Sequence, residues 1–162
     1  MIVIVIIGVV YTLVISKLQN FGEQKFEPNF MNLKEYLLSY MEDAKSVKLL
    51  CLNDCSECSI YKDDVKVKEI KSFFDANVMT YRYDFLQGAI EKKPDVFFNK
   101  EGVQESVCFS FSIGKDLVSD QVIVLYEDKA YDYSSYFNKT KSFDSLDDAV
   151  NDRQILNQKI MQ

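Results

Sequence analysis

Met1-Ile2-Val3-Ile4-Val5-Ile6-Ile7-Gly8-Val9-Val10-Tyr11-Thr12-Leu13-Val14-Ile15 runs for fifteen residues without a charge. As a helix it reaches only ~22 Å, short of the ~30 Å hydrocarbon core of a bilayer. As a buried strand it is about three times the usual length. A secretory signal needs a basic stretch before the run and small residues after it, and Ser16-Lys17-Leu18-Gln19-Asn20 has no such cleavage pattern. A dinucleotide-binding first strand needs a G-x-G-x-x-G turn, and Gly8 stands alone. The reading adopted is a membrane-inserting helix whose first turn or two precede Met1, so that the written chain starts at an internal methionine. That reading sets the fold expectation.

Beyond Lys17 the composition is that of a folded domain. Aromatics make up 14%, with 12 Phe and 10 Tyr, against only 5 Gly and 2 Pro, enough to fill a core rather than leave a disordered tail. The formal net charge is −6 with acids and bases intermixed. No basic patch suited to phosphates stands out, so no nucleic acid is expected as a partner. The chain has no histidine, which removes the commonest general base, the commonest zinc ligand and every Ser/His or Cys/His pair. We therefore expect neither an enzyme nor a cofactor.

Outward from the run, polarity appears at 16–24, and Gly22 and Pro28 interrupt it. Phe30, Leu33, Leu37, Tyr40, Met41 and Ala44 recur at spacings of three and four, which predicts a helix over 30–44. Asn29 or Asn32 is its candidate cap, with Glu35 completing a box with Asn32. Residues 46–137 then read as strands: 46–52, 59–62, 65–70, 78–85, 96–98, 106–113 and 121–126. Gly102, Gly114 and Glu127-Asp128 serve as turns. Phe143 to Gln162 predicts a closing helix with Ser145 as N-cap and Asp148 at the capping-box position. The expected fold is α+β: a long N-terminal hydrophobic helix over 1–24, then a mainly antiparallel β-sheet head over 25–162 with a packing helix.

Cys51, Cys55, Cys58 and Cys108 are the chain's cysteines. An even count suits disulfides in an oxidising compartment. Zinc held by all four thiolates and a redox C-x-x-C at 55–58 are the alternatives. Of three possible connectivities, Cys55–Cys58 with Cys51–Cys108 is preferred, although spacing alone does not choose. The carboxylates Asp54, Asp63-Asp64, Asp116, Asp120, Asp128 and Asp147-Asp148 fall in expected turns or caps, and none follows a calcium-loop pattern; no metal site is assigned. Tyr126, Tyr131, Tyr133, Tyr136 and Phe137 form an aromatic stretch that reads first as packing and second as a contact surface.

The run Ile2, Val3, Ile4, Val5, Ile6, Ile7, Gly8, Val9 and Val10 resembles the interior of the N-terminal segment of type IV pilins and type II secretion pseudopilins. The family's glutamate, methylated phenylalanine and cleavage glycine would lie upstream of Met1 and are absent as written. The stretch from Val96 to Gly102, followed by Val107 to Phe111, is similar to a strand–turn–strand of H-type minor pseudopilins. The resemblance implies a structural filament subunit and places it as a single-pass protein of the inner membrane, its head in the periplasm or an extracellular filament. Its implied partners are other pilin-like subunits. A single-span, membrane-tethered periplasmic binding domain unrelated to pili is the competing expectation.

Overall fold

The computed structural model describes residues 27–71, 73–75, 77–93, 95–99, 101–134 and 139–160. Alternation of apolar and polar residues after Ala44 produces strands, and short polar pairs turn them back. β1 (Val47–Leu52), β2 (Glu57–Lys62) and β3 (Val65–Lys71) form an antiparallel meander. Asp63 and Asp64 close the β2–β3 hairpin with φ of 49° and 65°, left-handed conformations that short Asp and Asn side chains tolerate. The Asp63 carboxylate also accepts the backbone N–H groups of Lys45 and Ser46 at 2.8 and 2.9 Å, pinning the entry to β1.

β4 (Met79–Asp84), β5 (Gly88–Glu91), β6 (Val96–Phe98) and β7 (Gln104–Ile113) follow. β8 (Ile123–Tyr126), β9 (Lys129–Asp132) and β10 (Lys141–Phe143) complete the strands. They sort into two five-stranded antiparallel sheets, β3-β2-β1-β7-β6 and β10-β9-β8-β4-β5. The chain leaves the end of β7 for β8 of the other sheet through 114–122, where Asp120 N–H donates to the Ser112 carbonyl and Ser112 N–H to the Asp120 carboxylate.

Between the sheets lies the main core. Val47, Leu49, Cys51, Ile60, Phe109, Phe111 and Ile113 supply it from the first sheet, and Val124 and Tyr133 from the second side. Phe30 is its hub: its ring lies 5.1 to 6.0 Å from those of Phe74, Tyr126, Tyr131, Phe73 and Phe109, contacts that add to the burial of the ring itself. A smaller cluster of Ile123, Ala130 and Ala149 forms on the far face of the second sheet, against helix α2 (Leu146–Ile160).

Helix α1 spans only Leu33–Leu38, shorter than the 30–44 expected. Tyr40 and Met41 N–H groups bond three residues back, the Ser39 hydroxyl donates to the Tyr36 carbonyl at 2.6 Å, and Asp43 takes φ 57°. These tighten and end the helix. Its apolar face is nonetheless the one expected, with Phe30, Leu33, Leu37 and Met41 buried. Asn32 occupies the N-cap position without a side-chain cap; its Oδ1 instead accepts from Asn29 N–H at 2.7 Å. At α2 Ser145 and Asp148 pair as half of the expected box: Asp148 N–H donates to Ser145 Oγ at 3.1 Å, and that hydroxyl, rather than the Ser145 N–H, donates to the Asp148 carboxylate at 2.6 Å.

The α+β expectation is corrected by this architecture. Two antiparallel sheets dominate, the helices have 6 and 15 residues, and no long helix stands among the described residues. None of these helices is long and apolar enough to cross a membrane. The expected N-terminal helix, including Ile2, Val3, Ile4, Val5, Ile6, Ile7, Gly8, Val9 and Val10, lies outside the described residues. β5, β9 and β10 lie outside the expected strand ranges; each has three or four residues, too few for alternation to show, whereas the equally short β6 is marked by its Val-Phe-Phe run.

Candidate functional site

The four cysteines meet at one end of the first sheet. Antiparallel register sets Cys51 of β1 directly opposite Cys58 of β2, with Cα atoms 4.1 Å apart, and the two are bonded. Cys55 sits in the intervening turn with φ 62° and pairs with Cys108 of β7, Cα–Cα 5.5 Å. This corrects the preferred pairing of Cys55 with Cys58 and Cys51 with Cys108. The reason is a β-bulge. Cys51 faces Phe109 whereas Leu52 faces Val107, which leaves Cys108 as the extra residue on β7 and frees its side chain for the turn. Cys51, Cys55 and Cys58 are fully buried. With every described thiol oxidised, zinc held by four thiolates and a reactive C-x-x-C both lack the thiolates they need.

On the face of this sheet turned away from the core lies an apolar groove of about 450 Å³, whose lining includes Leu50, Leu52, Tyr61, Phe97, Phe98 and Glu105. The rings of Tyr61 on β2 and Phe97 on β6 come within 6.5 Å of one another, although β1 and β7 lie between their strands. They reach over the intervening strands and shield Leu50, which is only 2% exposed. Asn99 Nδ2 donates to Glu105 Oε1 at 2.9 Å. Asn99 Oδ1 accepts from the N–H groups of Glu101 and Val103, which shapes the β6–β7 turn. Lys48, Asp64 and Asn99 also line the groove, so it joins apolar surface to charges of both signs.

Near the opposite edge, Lys68 of β3 reaches α1. Its Nζ donates to Tyr36 Oη at 2.9 Å and lies 5.4 and 5.9 Å from the ring centroids of Tyr36 and Tyr40. The hydrogen bond to Tyr36 raises the Lys68 ammonium, and burial raises the Tyr36 phenol. Both shifts keep the pair in its ammonium–phenol form, a latch between helix and sheet.

The aromatic stretch divides. Tyr133 is buried against Phe111 at 4.6 Å, Tyr126 and Tyr131 pack on Phe30, and Tyr136 and Phe137 lie outside the described residues. Of the carboxylates singled out, Asp54 caps its own turn through Ser56, which holds it below the usual carboxylate range. Among the described residues no three Cys, Asp or Glu converge as a ligand set for a metal ion. A carboxylate that sequence reasoning passed over is Asp132. It is 3% exposed and receives both Arg153 Nε at 2.8 Å and Nη2 at 2.9 Å from α2; no local spacing links the two residues. No family model, no curated protein and no solved structure matches the chain.

Proposed function

We propose that this chain is a structural subunit of a pilin- or pseudopilin-type filament. The apolar run Met1–Ile15 holds it in the inner membrane and then among sister segments, and its head stands in the periplasm or on the filament surface. The observation that carries the reading is the joining of two chemistries in one chain: an uncharged fifteen-residue run and a head whose four cysteines form two disulfides. Disulfides of this kind persist in oxidising compartments. The run is stable only in lipid or against other apolar segments, so a head outside the cytoplasm and a run in the membrane satisfy both constraints. Its work is assembly: lipid contacts are exchanged for packing between subunits, with the small Gly8 permitting close approach. The reading rests on the run and the disulfides, not on the architecture of the head.

A membrane-tethered binding domain unrelated to pili is the second reading, and the groove beside Phe97 favours it. Shearing filaments from cells that make the protein separates the two. Co-purification of the chain with the filament, and its loss when Ile4 and Ile7 are both changed to Asp, are the expected results. A chain that stays wholly in the membrane fraction, uncrosslinked to any filament subunit, would overturn the filament reading in favour of the tethered domain.

A further inference from the structure

The two edges of the first sheet are finished differently. β3 exposes Lys66 and Lys71 and sends Lys68 to α1, and edge lysines are a common guard against strand addition. β6 carries no charge at all in Val96-Phe97-Phe98, and Val96 and Phe98 are 59% and 60% exposed. Among the described residues no strand pairs with its other side. Asn99 N–H bonds to the Val103 carbonyl, and Phe97 faces Glu105. Alternation along an antiparallel ladder then directs the N–H and C=O groups of Asn99 and Phe97 toward β7, and those of Val96 and Phe98 away from it.

We propose that β6 is a self-association edge, and that a second copy of this chain adds to it antiparallel about a two-fold axis at Phe97, fusing the two five-stranded sheets into one. The sequence around β6 is self-complementary in that register. Val96 faces Phe98 of the second copy and the reverse, so each open pair of backbone groups meets its match. Asp95 faces Asn99 of the second copy, and Lys93 comes alongside the turn bearing its Glu101. Lys93 and Glu101 are exposed and have no ion-pair partner among the described residues. The neighbouring two-fold registers are worse. Centring on Phe98 sets Asp95 against Glu101, and centring on Val96 sets Asp95 against Phe97, whereas opposite charges and apolar pairs across strands are what stabilise a register. The same test on β3, centred on its middle residue Lys68, sets that lysine against its own copy. A two-fold contact closes on itself, so it pairs heads rather than propagating a filament, and the inference stands whether or not the filament reading does.

Sedimentation velocity of the full chain in density-matched detergent tests this across a concentration series. The wild type should show a monomer–dimer equilibrium. Phe98→Lys and Lys93→Glu should each raise the dimer dissociation constant about ten-fold, with near-UV circular dichroism unchanged. Lys93→Glu combined with Glu101→Lys should restore the wild-type constant, because each reversed charge again meets its opposite on the other copy. Photoreactive benzoylphenylalanine in place of Val96, which is exposed and faces Phe98 of the second copy in this register, should cross-link to the Val96–Phe98 strand of that copy. Three outcomes overturn the proposal: a wild type monomeric throughout, association equal in all variants (which the apolar run alone would give), or a cross-link mapping away from β6.

Discussion

Tyr133 shows how much one side chain can hold. Its hydroxyl donates to the carbonyl of Phe30, and its ring is 1% exposed, so the residue joins β9's end to the segment that delivers the core's central ring. Burial pushes its phenol well above the ordinary tyrosine range. The sign follows from linkage: the unfolded chain ionises near pH ~10 while the folded one cannot, so the unfolded state binds fewer protons there and stability falls as pH rises. Below that range the contribution is fully present. Tyr133→Phe should cost about 1–3 kcal/mol at neutral pH, since the buried Phe30 carbonyl loses its donor. It should also make the alkaline loss of stability shallower. Urea midpoints measured from pH 7 to 11 check both; parallel pH curves for wild type and variant would refute the assignment. The disulfide at Cys108 carries the same lesson in reverse. Its partner depends on a single bulged residue, and no spacing rule shows a bulge.

At the scale of elements, α2 is held less by grease than by a fork. Its apolar contribution to the small cluster is chiefly Ala149 and Leu146, and Ile155 and Leu156 are exposed. The bidentate Arg153–Asp132 pair supplies direction, with the Ser134 N–H as a further donor to the carboxylate at 2.8 Å. Arg153→Ala leaves a buried carboxylate without its cation and should cost about 3 kcal/mol. Lys141→Ala removes the Asp152 pair at 2.8 Å, where the lysine side chain is 45% exposed, and should cost less than about 0.5 kcal/mol. Chemical denaturation gives the two numbers, and hydrogen exchange in the Arg153→Ala protein should rise first in α2. Equal costs for the two variants would mean that burial does not govern this docking. The Ser145–Asp148 pair was legible beforehand, because the two residues are neighbours in sequence. The Arg153–Asp132 fork was not, being set by which strand the helix crosses.

For the whole molecule the disulfides are the largest single constraint on the unfolded chain. Cys55–Cys108 spans 53 residues and Cys51–Cys58 spans 7. Loop-closure entropy then assigns about 4 kcal/mol to the first and about 2 kcal/mol to the second. The Cys55→Ala/Cys108→Ala protein should therefore unfold at clearly lower denaturant than Cys51→Ala/Cys58→Ala. An inverted order would show that native packing of the β1–β2 hairpin, not the closed loop, controls stability.

Local chemistry settled a good deal by itself. Alternating Val, Tyr and Phe made most of the strands, Asp63-Asp64 and Gly102 made turns, and Ser145 with Asp148 started a helix, because each depends on residues within about four positions of one another. Four cysteines without histidine already leaned toward cross-links over catalysis. Only the tertiary structure decided the rest: the division into two sheets, the bond that ties Tyr133 to the Phe30 carbonyl, the pairing of the cysteines and the place of β6 at an edge of its sheet among the described strands. Those depend on contacts between residues tens of positions apart, where the energy lies in shared packing and register, and a chain read in one dimension carries no record of either.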